Sequence, residues 1–201
     1  MLDAARFPTL SAYLAALPEG LASYPACRTK GAIVRSVLDE GDLVTQAPHL
    51  PEELAALVRD RPPLTAWIAA VHADAVFHLY CDTHAPSDQA MLDWTYERST
   101  RFGRSQTYRH IFNAAGPRML LRTGVRMHGF FQMGTELEVP ELTAGSAKVV
   151  LKHPPHLHSR LNQLSNVALL RAIVDLTGGS NGKSEMVEHT PTHARYVVTW
   201  A

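Results

Sequence analysis

Histidine is the residue type this chain carries in surplus, with 11 in 201 residues. Two groups of them have residue types and spacing that metal chemistry uses. Asp74, His78 and Asp82 recur every four positions, one stripe of a helix, with Cys81 beside them and His84 just beyond. Imidazole, thiolate and carboxylate together suit zinc or iron, so His78, Cys81 and His84 are one candidate ligand set. The spacing matches no established metal signature. The same residues also read as a polar helix stripe, with Cys81 as a small buried side chain. The second group is His153-Pro154-Pro155-His156-Leu157-His158. In extended chain His156 and His158 point the same way and, with His153, could share a metal. The competing reading is a stiff loop that starts the next helix, with Ser159 near its cap. Glu188, His189 and His193 flank a turn and read as a surface group.

Two further constellations concern binding rather than metal. From Arg98 to Arg126 there are seven Arg, no Lys and no acid, and Arg118, Arg122 and Arg126 form one helical stripe. With Phe102, Tyr108 and Phe112 interleaved, this run could clamp phosphate or stack on bases. Residues 1–90, however, hold eleven acids against six bases, so the Arg run is expected to pair with that acidic third, within the chain or across a homodimer. Aromatic and sulfur side chains concentrate in the middle of the chain. Trp67, Phe77, Trp94, Phe112, Met127, His128 and Phe131 are candidate ligand-binding residues, because an apolar core and an apolar pocket draw on the same palette. No catalytic residue is assigned, since GxSxG, P-loop, GxGxxG and HExxH patterns are all missing. Gly178-Gly179-Ser180-Asn181-Gly182-Lys183 follows a helix and precedes a strand, the reverse of a phosphate loop, and reads as a helix stop.

The elements that must position these residues are mainly helical at first. Helices are expected over Thr9–Leu17, Cys27–Leu38, Pro51–Arg59 and Leu64–Tyr80, the last buried on much of its circumference. Ser87 caps a helix running to about Phe102, and two more follow over Gln106–Ala114 and Pro117–Phe131. After Gly134 the period changes. Leu137 and Val139, then Ala147, Val149 and Leu151, alternate around a Thr143–Ser146 turn. Leu161–Thr177 returns to helix, and Glu185–His189 with Arg195–Trp200 closes as a second hairpin. The fold class is therefore α+β: a helical N-terminal layer over 1–133, then a ββ-α-ββ sheet unit over 134–201, in a single domain.

The strings YLAALPEGLASYP at Tyr13–Pro25, PPHL at Pro154–Leu157 and YVVTW at Tyr196–Trp200 resemble a bacterial family of unknown function. The order of elements is similar to a wider group. It joins 4-vinyl-reductase-like domains, haem nitric-oxide/oxygen-binding domains and a vesicle-tethering subunit. That resemblance implies a pocket between helices and sheet, holding an aromatic or lipidic molecule, or haem in one branch. The chain departs from the haem branch. It lacks a Tyr-x-Ser-x-Arg motif, and the nearest string, Tyr96-Glu97-Arg98-Ser99-Thr100-Arg101, has the wrong spacing. Were haem present, His128 would be the candidate axial ligand.

Composition bounds the reading. Apolar residues are 46% and charges balance at 19 against 19, a globular composition and not that of a nucleic-acid-binding protein. Two separated Cys, no signal-peptide pattern and no uninterrupted apolar run of about 18 residues predict a soluble, cytoplasmic protein without a membrane span. The expected function is a small-molecule-binding or sensory module with an apolar pocket and a hydrophobic ligand. The alternatives are a zinc- or haem-dependent protein, enzyme or not, that uses the His segments, and a protein-interaction adaptor using the Arg-rich helix.

Overall fold

The computed structural model describes residues 2–106, 108–113 and 116–201. Pro8 opens α1 (Pro8–Ala16) at a first-turn position, where a missing N–H costs nothing. After a 3-10 turn come β1 (Arg28–Lys30) and α2 (Gly31–Leu38), then a second 3-10 turn and α3 (Glu52–Asp60). β2 (Trp67–Ala69) leads into α4 (Ala70–His84), and Ser87 caps α5 (Asp88–Arg104) by accepting the Ala90 N–H at 3.2 Å. α6 (Arg109–Asn113), α7 (Pro117–Phe131) and the short strand β3 (Gln132–Met133) complete the helical part. The expected α6 span reaches Thr107 and Ala114, which lie outside the described residues.

The C-terminal unit follows the expected ββ-α-ββ order. β4 (Glu136–Leu142) and β5 (Ser146–Lys152) form one hairpin, α8 (Arg160–Leu176) crosses, and β6 (Lys183–His189) and β7 (His193–Thr199) form the other. The antiparallel sheet runs β4-β5-β7-β6. Its register pairs Ala147 with Val198, Val149 with Tyr196 and Leu151 with Ala194, so all six inward side chains are buried together. Leu170 and Val174 of α8 and Leu121 of α7 close this core. The other core, first in chain order, is built from α1 to α4, with Met91 and Trp94 of α5 and Leu157 inserted into it.

Two expected helices begin late. Arg28–Lys30 and Trp67–Ala69 pair as antiparallel strands, and β3 adds to the other side of β1, giving a small sheet β2-β1-β3. The helix expected from Leu64 therefore starts at Ala70, and Leu64 is exposed. A three-residue strand has too few positions to show a period of two, and its partners are distant in sequence. Gly134, at φ +79°, lets the chain turn beside Cys27, where a Cβ would stand 2.6 Å from Sγ.

Candidate functional site

The stripe Asp74, His78, Asp82 exists on α4, and each member is already committed to another protein group. Asp82 accepts the backbone N–H groups of Thr9 and Leu10, both at 3.0 Å, and so satisfies the N-terminus of α1. His78 is buried between Thr9 Oγ1 at 3.2 Å and Ser159 Oγ and Asn162 Oδ1, each at 2.9 Å. Burial pushes its pKa down. Asp74 Oδ2 lies 2.6 Å from His158 Nδ1. His84 meets Thr83 Oγ1 at 2.6 Å and stacks on Tyr80, and burial pushes the Cys81 thiol up to about 12. Without a metal such a thiol is protonated at neutral pH.

The second His group is divided between surface and interior. His156 is exposed, at φ +61°, whereas His153 and His158 are buried with their rings edge to face at 5.0 Å. His153 Nδ1 donates to the Pro154 carbonyl at 2.8 Å, so Nε2 accepts from the Gln163 side chain. The Gln163 Oε1 in turn lies 2.7 Å from the Tyr196 hydroxyl. Burial, then the charge of His158, holds His153 down at about 4. Among the described residues no three His, Cys, Asp or Glu side chains are close enough together to hold a metal ion. His78, His153 and His158 thus help to join α1, α4 and α8.

A cavity of about 290 Å³ lies between α5, α6, α7, α8 and the β4–β5 hairpin. α7 turns Leu120, Leu121, Gly124, Met127, His128 and Phe131 toward it, one face at helical spacing. Leu137, Val139 and Val149 come from the sheet, and Leu169, Ile173 and Leu176 from α8. Phe102 and Tyr108 stack at 4.3 Å at one wall, with Phe131 edge-on to Phe102 at 6.4 Å. Four of the seven expected ligand residues, Phe112, Met127, His128 and Phe131, line this cavity. Trp67, Phe77 and Trp94 lie elsewhere. Trp67 sits on β2 under Lys30 Nζ at 3.9 Å, and Phe77 and Trp94 belong to the first core, where Trp94 stacks on Tyr80 at 3.9 Å.

The polar part of the wall is small: Ser36 from α2, Arg98 and Ser99 from α5, Gln132 and His128. Arg98, one member of the basic run in sequence, stands apart from the others in the structure. Met91, Trp94, Arg98 and Phe102 share one face of α5, so the legible signal was a cation standing in an apolar stripe. Arg101 engages Glu40, partly as the charge balance predicts, but among the described residues Arg118, Arg122 and Arg126 have no ion pair.

No family profile and no curated protein matches this chain. Solved structures do. The unliganded Fe(II) H-NOX protein from K. algicida is 16% identical with a TM-score of 0.54, covering 86% of this chain and 96% of its own. An oxygen-binding H-NOX domain related to soluble guanylate cyclases is 9% identical with a TM-score of 0.60, covering 85% and 92%. A point mutant of T. Tengcongensis H-NOX gives 9% and 0.57, covering 85% and 94%. The chain has the fold of the haem nitric-oxide/oxygen-binding domains.

Proposed function

We propose, with that fold as the premise, that this chain is a small-molecule-binding module of sensory type, with the cavity under α7 as its binding site. The observation that carries the reading is a cavity near the lower bound of ligand pockets, roughly 300 Å³, walled mainly by apolar and aromatic side chains. Gly124 supports it. A Cβ there meets nothing within 4 Å, although the residue faces the cavity from the middle of a helix. Glycine costs a helix interior about 1 kcal/mol relative to alanine, so an open space is kept at the expense of helix stability.

The test is saturable binding of a neutral apolar fluorophore, N-phenyl-1-naphthylamine. Wild-type protein is expected to bind it, and Gly124→Leu, which fills the space, to lose it while unfolding at no lower denaturant concentration. Undiminished binding by a folded Gly124→Leu protein would place the probe elsewhere and reject the site.

A second reading, haem, is favoured by the fold and by His128 facing the cavity. The residues present do not fit it. His128 Nε2 is engaged by Thr135 Oγ1 at 2.8 Å, which leaves only Nδ1 to ligate iron, and a single Arg among the lining residues would have to serve both propionates. Hemin titrated into the protein is expected to leave its absorption spectrum that of the free pigment. A sharp, stoichiometric Soret shift that His128→Ala removes would establish haem and displace the first reading.

A further inference from the structure

Arg98 is an anomaly in this cavity. Its Nε is sealed from solvent and has no hydrogen-bond partner. Nη1 reaches only Ser36 Oγ, at a long 3.3 Å, and the guanidinium carbon stands 4.6 Å over the Trp94 ring. Glu40 is the acid whose charge most affects it, yet that carboxylate is taken by Arg101, whose Nε donates to Oε1 at 3.1 Å. Among the described residues no carboxylate lies within ion-pair distance of Arg98. Burial lowers its pKa to about 10, so it remains cationic at neutral pH. Arg98 is half-buried, and a charge withdrawn from water is ordinarily paired, because a lone one forfeits hydration without return.

We infer that the ligand is an anionic amphiphile, an apolar chain or ring ending in a carboxylate, whose headgroup pairs with the Arg98 guanidinium beside Ser36 while its body fills the cavity under α7. The inference rests on the pocket reading above and adds the ligand class to it. Nη1 and Nη2 form the outer end of the guanidinium, and the N–H groups there can meet the oxygens of a carboxylate end-on. Charge selects the same class. One monoanion neutralises one cation, whereas a dianionic phosphate would bring a second, unbalanced charge into a wall with no other Arg or Lys. Trp94, behind the guanidinium, and Ser36, on Nη1, hold the fork in place before a ligand arrives, which lowers the ordering cost of binding.

The experiment displaces bound N-phenyl-1-naphthylamine with decanoate, decanol and decyl phosphate, each below its aggregation concentration. Decanoate is expected to displace the probe at a concentration at least about tenfold lower than decanol, the effect of one charged hydrogen-bonded contact. Arg98→Met should keep the neutral probe and bring acid and alcohol level, and Arg98→Lys should restore part of the preference. Arg98→Gln replaces the Met variant if that one does not fold. Equal displacement by acid and alcohol in the wild type, or an unchanged preference in a folded Arg98→Met or Arg98→Gln, overturns the inference and leaves the pocket standing. Stronger displacement by decyl phosphate overturns the carboxylate. A probe whose binding ignores Gly124→Leu removes the pocket itself, a result distinguishable from all of these.

Discussion

His153 illustrates what burial does to a side chain that spacing alone offers as a metal ligand. Its folded pKa of about 4 lies below the ordinary 6.5 of the unfolded chain. Between those values the unfolded chain binds a proton that the folded chain refuses, so stability falls as pH drops through that window. The full loss from this group is about 3 kcal/mol, and His78 and His128, also lowered by burial, act in the same direction. The urea midpoint is expected to fall steadily from pH 6.5 to pH 4, and His153→Gln to make the fall shallower. An equally steep fall in that variant would mean the carboxylates alone set the profile. His72 and His189 are lowered as well, so acid makes this protein less cationic than 11 free histidines would. The stripe of Asp74, His78 and Asp82 was legible in the sequence, but its partners were not. Thr9, His158 and Asn162 stand 69 to 84 residues away, and spacing fixes a face without naming what meets it.

Among the elements, legibility followed length. The strands of the C-terminal unit alternate over seven residues each, and Pro117, Ser87 and Ser159 mark three helix starts chemically. The small sheet β2-β1-β3 could not be read, because its strands hold only two or three residues. That sheet nonetheless fixes where α2 and α4 begin. Gly31, at the head of α2, shows how tightly: its N–H donates to the Ala66 carbonyl at 2.8 Å, and a Cβ would stand 2.1 Å from the Pro63 carbonyl oxygen. A backbone atom cannot swing aside as a side chain can. Gly31→Ala is therefore expected to lower stability by about 1–3 kcal/mol, the range for an overpacked site. Gly124→Ala, into open space on α7, should instead raise it by about 1 kcal/mol. Both are read from denaturant midpoints at constant m-value. Two similar losses would mean that the space above Gly124 is not open in solution.

At the scale of the whole molecule, the two cores divide the chain between a part that folds tightly and a part that can respond. The first core buries side chains from all of α1 to α4, whereas α7 buries only Leu120 and Leu121 and borders the cavity along the rest of its inner face. An element with so few buried contacts opens locally at low cost. A ligand in the cavity replaces those missing contacts, and at one hundred times its dissociation constant it stabilises the bound state by about 2.7 kcal/mol. That stabilisation should not be spread evenly. Amide exchange with decanoate bound is expected to slow by up to about a hundredfold in α7, in the second half of α5 and in the β4–β5 hairpin. In α1 and α3, which do not border the cavity, exchange by local opening is expected to stay unchanged. Hydrogen-exchange mass spectrometry at peptide resolution reads this directly. Protection confined to the cavity elements would identify α7 as the segment whose order reports occupancy, the property a sensory module needs. Equal protection of α1 and α3 would mean that both cores open together and that binding is felt only as global stability. That outcome would sink α7 as the responsive element while leaving the cavity as the site.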